Sequence, residues 1–247
     1  MDSGDADMSL IINPYVFGGG APAADPVGDF AAVGHTVFDL TAEGFADTTA
    51  IGTLTDQTGN SRNATQATAS KKPTAQTVSG MKVARFDGTN DHLVTASWTA
   101  ISQPNTAIVL AKYDNAMAGN DFIFDGITAT DRHLIFSTGS FKFFAGNILT
   151  GPTDDSNWHV FVAKFDTTTS ALYLDGGAAA VSGDAGSQAL TGLVVGGGYD
   201  FSDAWWDGDI NYIGLYDGDL LTDDLTLLND MCQALADRAG IAWADIT

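Results

Sequence analysis

The sequence predicts an all-β sandwich with one C-terminal helix, and three observations carry that reading. Short apolar runs recur between Asp-, Asn- and Gly-containing turns from residue 36 to residue 217. The chain holds 28 glycines and 45% hydrophobic residues, the composition of a folded, turn-rich protein. Its acids are aspartates apart from Glu43, and Asp favours turns and caps where Glu favours helices.

Residues 1–30 do not read as core, because Asp, Ala, Gly and Pro surround a single apolar patch. That patch is either a first strand or an extended N-terminal arm that docks on a neighbouring subunit through Leu10, Ile11, Ile12, Tyr15 and Phe17. Met8 is a second candidate start, the residues before it then being an extension. Residues 31–247 read as one domain, with neither an internal repeat nor a dividing linker.

Residues 37–40 form the first short strand of that domain. The polar loop 54–66 follows, rich in side chains that hydrogen-bond their own backbone. Alternation over 82–86, a turn at Asp87-Gly88-Thr89-Asn90 and resumed extension at 92–94 predict two strands. Residues 107–113 are apolar nearly throughout, so both faces of that strand are covered. Strands at 122–125, 134–137 and 141–144 follow, the last two flanking the hairpin loop Thr138-Gly139-Ser140. Residues 157–176 are the most patterned stretch, a strand, a polar turn and a return strand closing on Asp175-Gly176. The strand at 190–198 ends in three glycines, which let another backbone approach closely.

One helix is predicted over 222–239, with Thr222 as N-cap, Asp223 and Asp224 in the first turn and Gly240 as the stop. Leu225, Leu228, Cys232, Leu235 and Ala239 make one apolar stripe, which buries the only cysteine as a small hydrophobe.

Charge narrows the partners. The formal net charge is −21, and Arg238 is the only base after residue 164. Such a surface repels phosphate backbones, which argues against nucleic acid. No apolar run approaches the roughly 20 residues of a membrane span. The acidic start shows no secretion signal, so synthesis in the cytoplasm without export is the expectation.

Four ordered motifs carry a family resemblance: Arg85-Phe86-Asp87-Gly88-Thr89-Asn90-Asp91-His92-Leu93, Trp158-His159-Val160, Leu172-Tyr173-Leu174-Asp175-Gly176 and Asp207-Gly208-Asp209-Ile210 through Leu215-Tyr216. Together they resemble the concanavalin A-like, laminin-G-type jelly-roll β-sandwich, which in that family often ends in a short helix. The resemblance implies that Trp158, Val160, Val162, Leu172 and Leu174 are fold determinants, with polar alternates facing solvent or the other sheet. Ser9-Leu10-Ile11-Ile12-Asn13-Pro14-Tyr15-Val16-Phe17-Gly18 and Asn63-Ala64-Thr65-Gln66-Ala67-Thr68 resemble virion proteins of tailed bacteriophages. That resemblance implies a structural protein on the virion surface, on capsid or tail, contacting other virion proteins and forming a homo-oligomer such as a trimer.

The candidate sites follow from these resemblances and from residue chemistry. Endoglucanases of this fold place two glutamates on one strand, and glycoside hydrolysis needs two carboxyls about 5–9.5 Å apart. A chain whose one glutamate is Glu43 lacks that arrangement, so a non-enzymatic role is expected; a glycoside-active enzyme, which would need an Asp pair that nothing marks out, is the third reading. A lectin-like module is the alternative to a purely structural part, with Trp205, Trp98 and Asp203 meeting surface glycans. Laminin-G-type domains often bind calcium at one rim. Asp200, Asp203, Asp207 and Asp209 form one candidate set here, and Asp87, Asn90 and Asp91 another, against the simpler reading that these residues cap turns.

Overall fold

A computed structural model describes residues 25–114 and 120–247. The apolar patch Leu10, Ile11, Ile12, Tyr15 and Phe17 lies outside the described residues. The described chain runs α1 (Pro26–Val33), β1 (Thr36–Asp39), α2 (Leu40–Glu43), β2 (Thr53–Leu54), β3 (Ala64–Thr65), β4 (Thr74–Val78), β5 (Met81–Asp87) and β6 (Leu93–Thr95). It continues through β7 (Asn105–Tyr113), β8 (Asp121–Asp125), β9 (Leu134–Ser137), β10 (Phe141–Phe144), β11 (Ile148–Thr150) and β12 (Trp158–Phe165). The last elements are β13 (Ser170–Leu174), β14 (Val181–Gly183), β15 (Val194–Val195), β16 (Asp207–Tyr216), α3 (Leu220–Asp223) and α4 (Leu225–Ala239).

Among the described residues these strands make two eight-stranded antiparallel sheets, a jelly-roll-like sandwich. The first sheet runs β14-β13-β12-β7-β16-β5-β4, with β1 also paired to β16. The second runs β11-β10-β9-β8-β15-β6-β3-β2. β16 spans the first sheet because it changes partner along its length. Asp207–Ile210 face β5, Tyr212–Leu215 face β1, and a bulge against β7 separates Ile210 from Tyr212. Asn211 sits at that bulge and is tied by its amide to Thr41 Oγ1 at 3.0 Å and the Lys82 carbonyl at 2.6 Å.

The core lies between the sheets, where Phe86, Phe124, Phe143, Phe161, Phe165 and Trp206 are fully buried. A second apolar layer covers the outer face of the first sheet. There Val27 and Phe30 of α1 and Leu228, Met231, Cys232 and Leu235 of α4 pack on Val83, Ile108, Leu110, Val160, Val162 and Tyr212. Each fully buried aliphatic or aromatic side chain contributes about 1.5–3 kcal/mol, so the two helices are integral to the fold.

Three expectations need correction. Residues 26–30 are not arm, because α1 is capped by Asp25, starts on Pro26 and buries Phe30 completely. The C-terminal helix is not continuous over 222–239; a short α3 precedes α4, whose N-cap is Asp224, its side chain accepting from the Leu227 amide at 2.9 Å. The 157–176 hairpin forms as read, but apart from His159 the alternate residues of β12 are not polar. Val160 and Val162 face the helices while Phe161, Ala163 and Phe165 face the other sheet, so β12 is covered on both sides. Cys232 is buried on the α4 stripe, and burial pushes its thiol pKa well up.

Candidate functional site

The two sheets differ in what covers them. α1 and α4 seal the outer face of the first sheet, whereas among the described residues no helix packs on the outer face of the second. On that open face, strand alternation sends Ile135, Phe141 and Phe143 into the core and turns Leu134, Phe136 and Phe144 to the outer side, where Leu134 and Phe136 are still buried, at 2% and 6% exposure, and Phe144 is half-buried. A solvated sheet face normally carries polar residues at those positions. Here it carries a groove of about 180 Å³ lined by Asn120, Phe122, Arg132, Leu134, Phe136, Phe144 and Ile148. Phe122 meets Phe136 edge-on at 5.1 Å, and Ile148 stands 56% exposed at the groove edge.

Arg132 crosses this face as a held cation. Its guanidinium lies 4.5 Å from the Tyr199 ring and 5.5 Å from the Phe144 ring. Its Nε and Nη2 donate to Asp125 Oδ1 at 2.9 Å and Oδ2 at 2.7 Å, a bidentate fork. Asp125 is fully buried and also accepts from the amides of Gly126 at 2.7 Å and Tyr199 at 3.0 Å. Burial pushes the Asp125 pKa up, against the pull of Arg132 and the two amides.

Beyond Tyr199 the face continues into a rim of rings. Gly196 hydrogen-bonds to the β8 backbone at Ile123 and accepts from the Trp206 amide. Gly196 and Gly197 admit rings and not another backbone. A Cβ on Gly196, whose φ is +81°, would fall 2.2 Å from Phe86, and one on Gly197 would fall 2.7 Å from Trp205. Trp206 is core and Trp205 is half-buried, as neighbours on an extended segment should be. The His92 ring stacks on Trp205 at 5.2 Å and meets Phe201 at 4.9 Å, with Phe201 42% exposed. His92 Nδ1 donates to the Asn90 carbonyl at 2.8 Å, and its Nε2 accepts from the Gln66 amide at 3.0 Å. Burial lowers its pKa, which fits this neutral tautomer.

The other expected glycan residues are dispersed. Trp98 is half-buried, its Nε1 donates to the Leu190 carbonyl at 3.1 Å, and its ring contacts His35 and Arg62. No contact joins it to Trp205 among the described residues. Asp203 is exposed in the loop beside Gly198.

The calcium set is not gathered into a cage. Among the described residues no three or more His, Cys, Asp or Glu side chains are arranged to hold a metal ion. Asp209 is fully buried with both oxygens on Arg85, Oδ1 to Nε at 2.8 Å and Oδ2 to Nη2 at 2.7 Å. The two stand directly opposite in the β5–β16 register. Asp200 accepts from its own loop at Ser202, and Asp207 lies across the ladder from Asp87. Asp87 caps its turn through the amides of Thr89 at 2.9 Å and Asn90 at 3.2 Å. Asp91 is buried beside it, and burial followed by the Asp87 charge raises its pKa to about 6.

Sequence reading missed Phe122, Arg132, Phe144 and Tyr199 as half-exposed residues, and Phe136 as the ring packed among them. A signal was present: Leu134-Ile135-Phe136 and Phe143-Phe144 lack the polar alternates that strands with one open face should show.

No known protein family and no curated protein sequence matches this chain. Solved structures do. Domain 4 of AbnA, a GH43 extracellular arabinanase from Geobacillus stearothermophilus solved with arabinotriose, superposes with a TM-score of 0.55 at 14% identity. The match covers 83% of this chain and 97% of that domain. Trypanosoma rangeli sialidase in complex with the inhibitor DANA superposes at 0.54 and 13% identity, over 82% of this chain. The chain spans only 32% of that enzyme. At such identities the likeness establishes the sandwich fold.

Proposed function

We propose that this protein is a non-enzymatic carbohydrate-binding module of lectin-like character, using the open face of its second sheet. The observation that carries the reading is the apolar groove at Phe122, Phe136, Phe144 and Ile148, on a sheet face that water alone would populate with polar residues. Aromatic rings stack against the C–H faces of sugar rings, while Arg132 and Asn120 supply donors at the margin. The fold likeness to a domain solved with arabinotriose supports the same class. Glu43 is engaged with the Thr55 amide and hydroxyl, which supports binding over hydrolysis. A glycan array read against Phe144→Ala tests the proposal. Sugar binding lost in the variant upholds it, and an array without signal for the intact protein overturns it.

A second reading places the module on a tailed-bacteriophage virion, at the capsid or tail surface, as a homo-oligomer. It rests on the sequence resemblance at residues 9–18 and 63–68. Copy number in purified particles tests it: hundreds indicate a capsid lattice, a handful a tail tip, and none sinks the reading. A deletion of residues 1–20 that still assembles onto particles removes the docking role from the arm.

A further inference from the structure

Given the carbohydrate-binding role proposed above, the placement of the rings sets the length of the ligand. We propose that the groove and the rim at Trp205 form one continuous track, which takes an internal stretch of an extended glycan chain and not a single terminal sugar. The sheet register supplies the line. Lys142 pairs with Phe136 and Phe136 with Phe122, so their side chains stand in one row across β10, β9 and β8. Val194 pairs with Asp125 and Val195 with Phe124, and the same register continued sets Gly197 opposite Phe122. The Trp205 ring fills the space that Gly197 leaves, since a Cβ there would fall 2.7 Å from Trp205 and 3.8 Å from the His92 Cβ. A Cβ on Gly198 would fall 3.7 Å from the Phe122 ring, which brings groove and rim together. From β10 to His92 beside β6 the row crosses four strand intervals, about 19 Å. A single sugar ring covers a small part of that length.

The loop that carries the rim rings is fixed to β8 at both ends. The Tyr199 amide donates to Asp125 at 3.0 Å, and the Ala204 carbonyl accepts from the Phe122 amide at 3.3 Å. Between these anchors Phe201 and Ala204 are held at φ +55° and +63°, left-handed conformations that strain a residue other than glycine. That strain keeps the Phe201 ring exposed beside His92, as a contact surface requires and a core does not. Donors stand along the same face. The Nη1–Nη2 edge of Arg132 is open, and among the described residues no acid pairs with Lys142. The two ends finish on exposed side chains, Ile148 and Phe201, which suits a chain that continues past the site in either direction.

Calorimetric titration of the full chain with arabino-, xylo-, gluco- and galacturono-oligosaccharides, each from the disaccharide to the hexasaccharide, tests the track. In the series that binds, affinity should keep rising beyond the disaccharide, to at least the tetrasaccharide. Trp205→Ala should weaken the hexasaccharide about tenfold and leave the disaccharide within about twofold, because a short sugar is held by the groove alone. Phe201→Ala alters an exposed ring and should act in the same sense, so the test stands even where circular dichroism finds Trp205→Ala unfolded. Affinity that stops rising at the disaccharide, or a hexasaccharide bound equally by the wild type and the folded variants, would overturn the track and leave the carbohydrate-binding role of the groove standing. Binding of none of the oligosaccharides would overturn both.

Discussion

Truncating Asp125 to alanine probes the construction of the open face directly. The fully buried carboxylate accepts from Arg132 Nε and Nη2 and from the Gly126 and Tyr199 amides. Asp125→Ala therefore strands a guanidinium and two backbone donors. Breaking one partner out of a buried ion pair costs about 3–5 kcal/mol. The Arg132 side chain keeps 18% of its surface exposed and rehydrates in part, which favours the lower end, about 3 kcal/mol. For a domain of this size each kcal/mol moves Tm by about 2–4 °C, so the melting temperature should fall by about 6–12 °C. Scanning calorimetry at pH 7 reads this. A drop under about 2 °C would refute the view that the fork organises this face.

Other perturbations follow from the same reasoning. His159 lies between Asp175 at 2.7 Å and Asp155 at 2.8 Å; burial lowers its pKa, but the carboxylates outweigh burial and the net shift is upward. Its contribution is thus fully present below the unfolded value of about 6.5 and is lost as pH rises through the folded pKa. Stability should decline on raising pH through that window, and His159→Gln should flatten the decline in urea titrations. Asp91 shifts the other way for an acid, up to about 6, so native stability falls as pH rises between its unfolded value and about 6. Asp91→Asn should therefore gain stability relative to wild type at pH 8 and gain none at pH 4, by thermal melts. Gly196→Ala should cost about 2–4 kcal/mol in chemical denaturation, since a Cβ at φ +81° falls 2.2 Å from the Phe86 ring. A cost below about 1 kcal/mol would show that ring to be displaceable.

Local signals served the fold well. The hairpin at 157–176, the strand at 107–113 and the C-terminal stripe are each written in side-chain periods of two or three to four. α1 escaped because its Ala- and Gly-rich composition resembles the residues before it, although Asp25-Pro26 is a helix-start signal. The α4 cap escaped because Asp224 and Thr222 are both good N-caps, and the α3 turn between them is settled by packing. The calcium reading failed at Asp209 for a long-range reason. Its partner Arg85 is 124 positions away in sequence, and only the β5–β16 register sets them opposite. The groove is long-range in the same sense. Phe144 is half-exposed or core depending on which sheet the helices cover, and α1 and α4 cover the other one.

Hydrogen exchange of the whole chain with and without a bound oligosaccharide tests the central claim most directly. Added protection should concentrate on residues 120–125 and 132–144 and on Tyr199, around the groove of the open sheet. Protection confined to Trp98 and its neighbours His35 and Arg62, or to the helix-covered first sheet, would contradict the account.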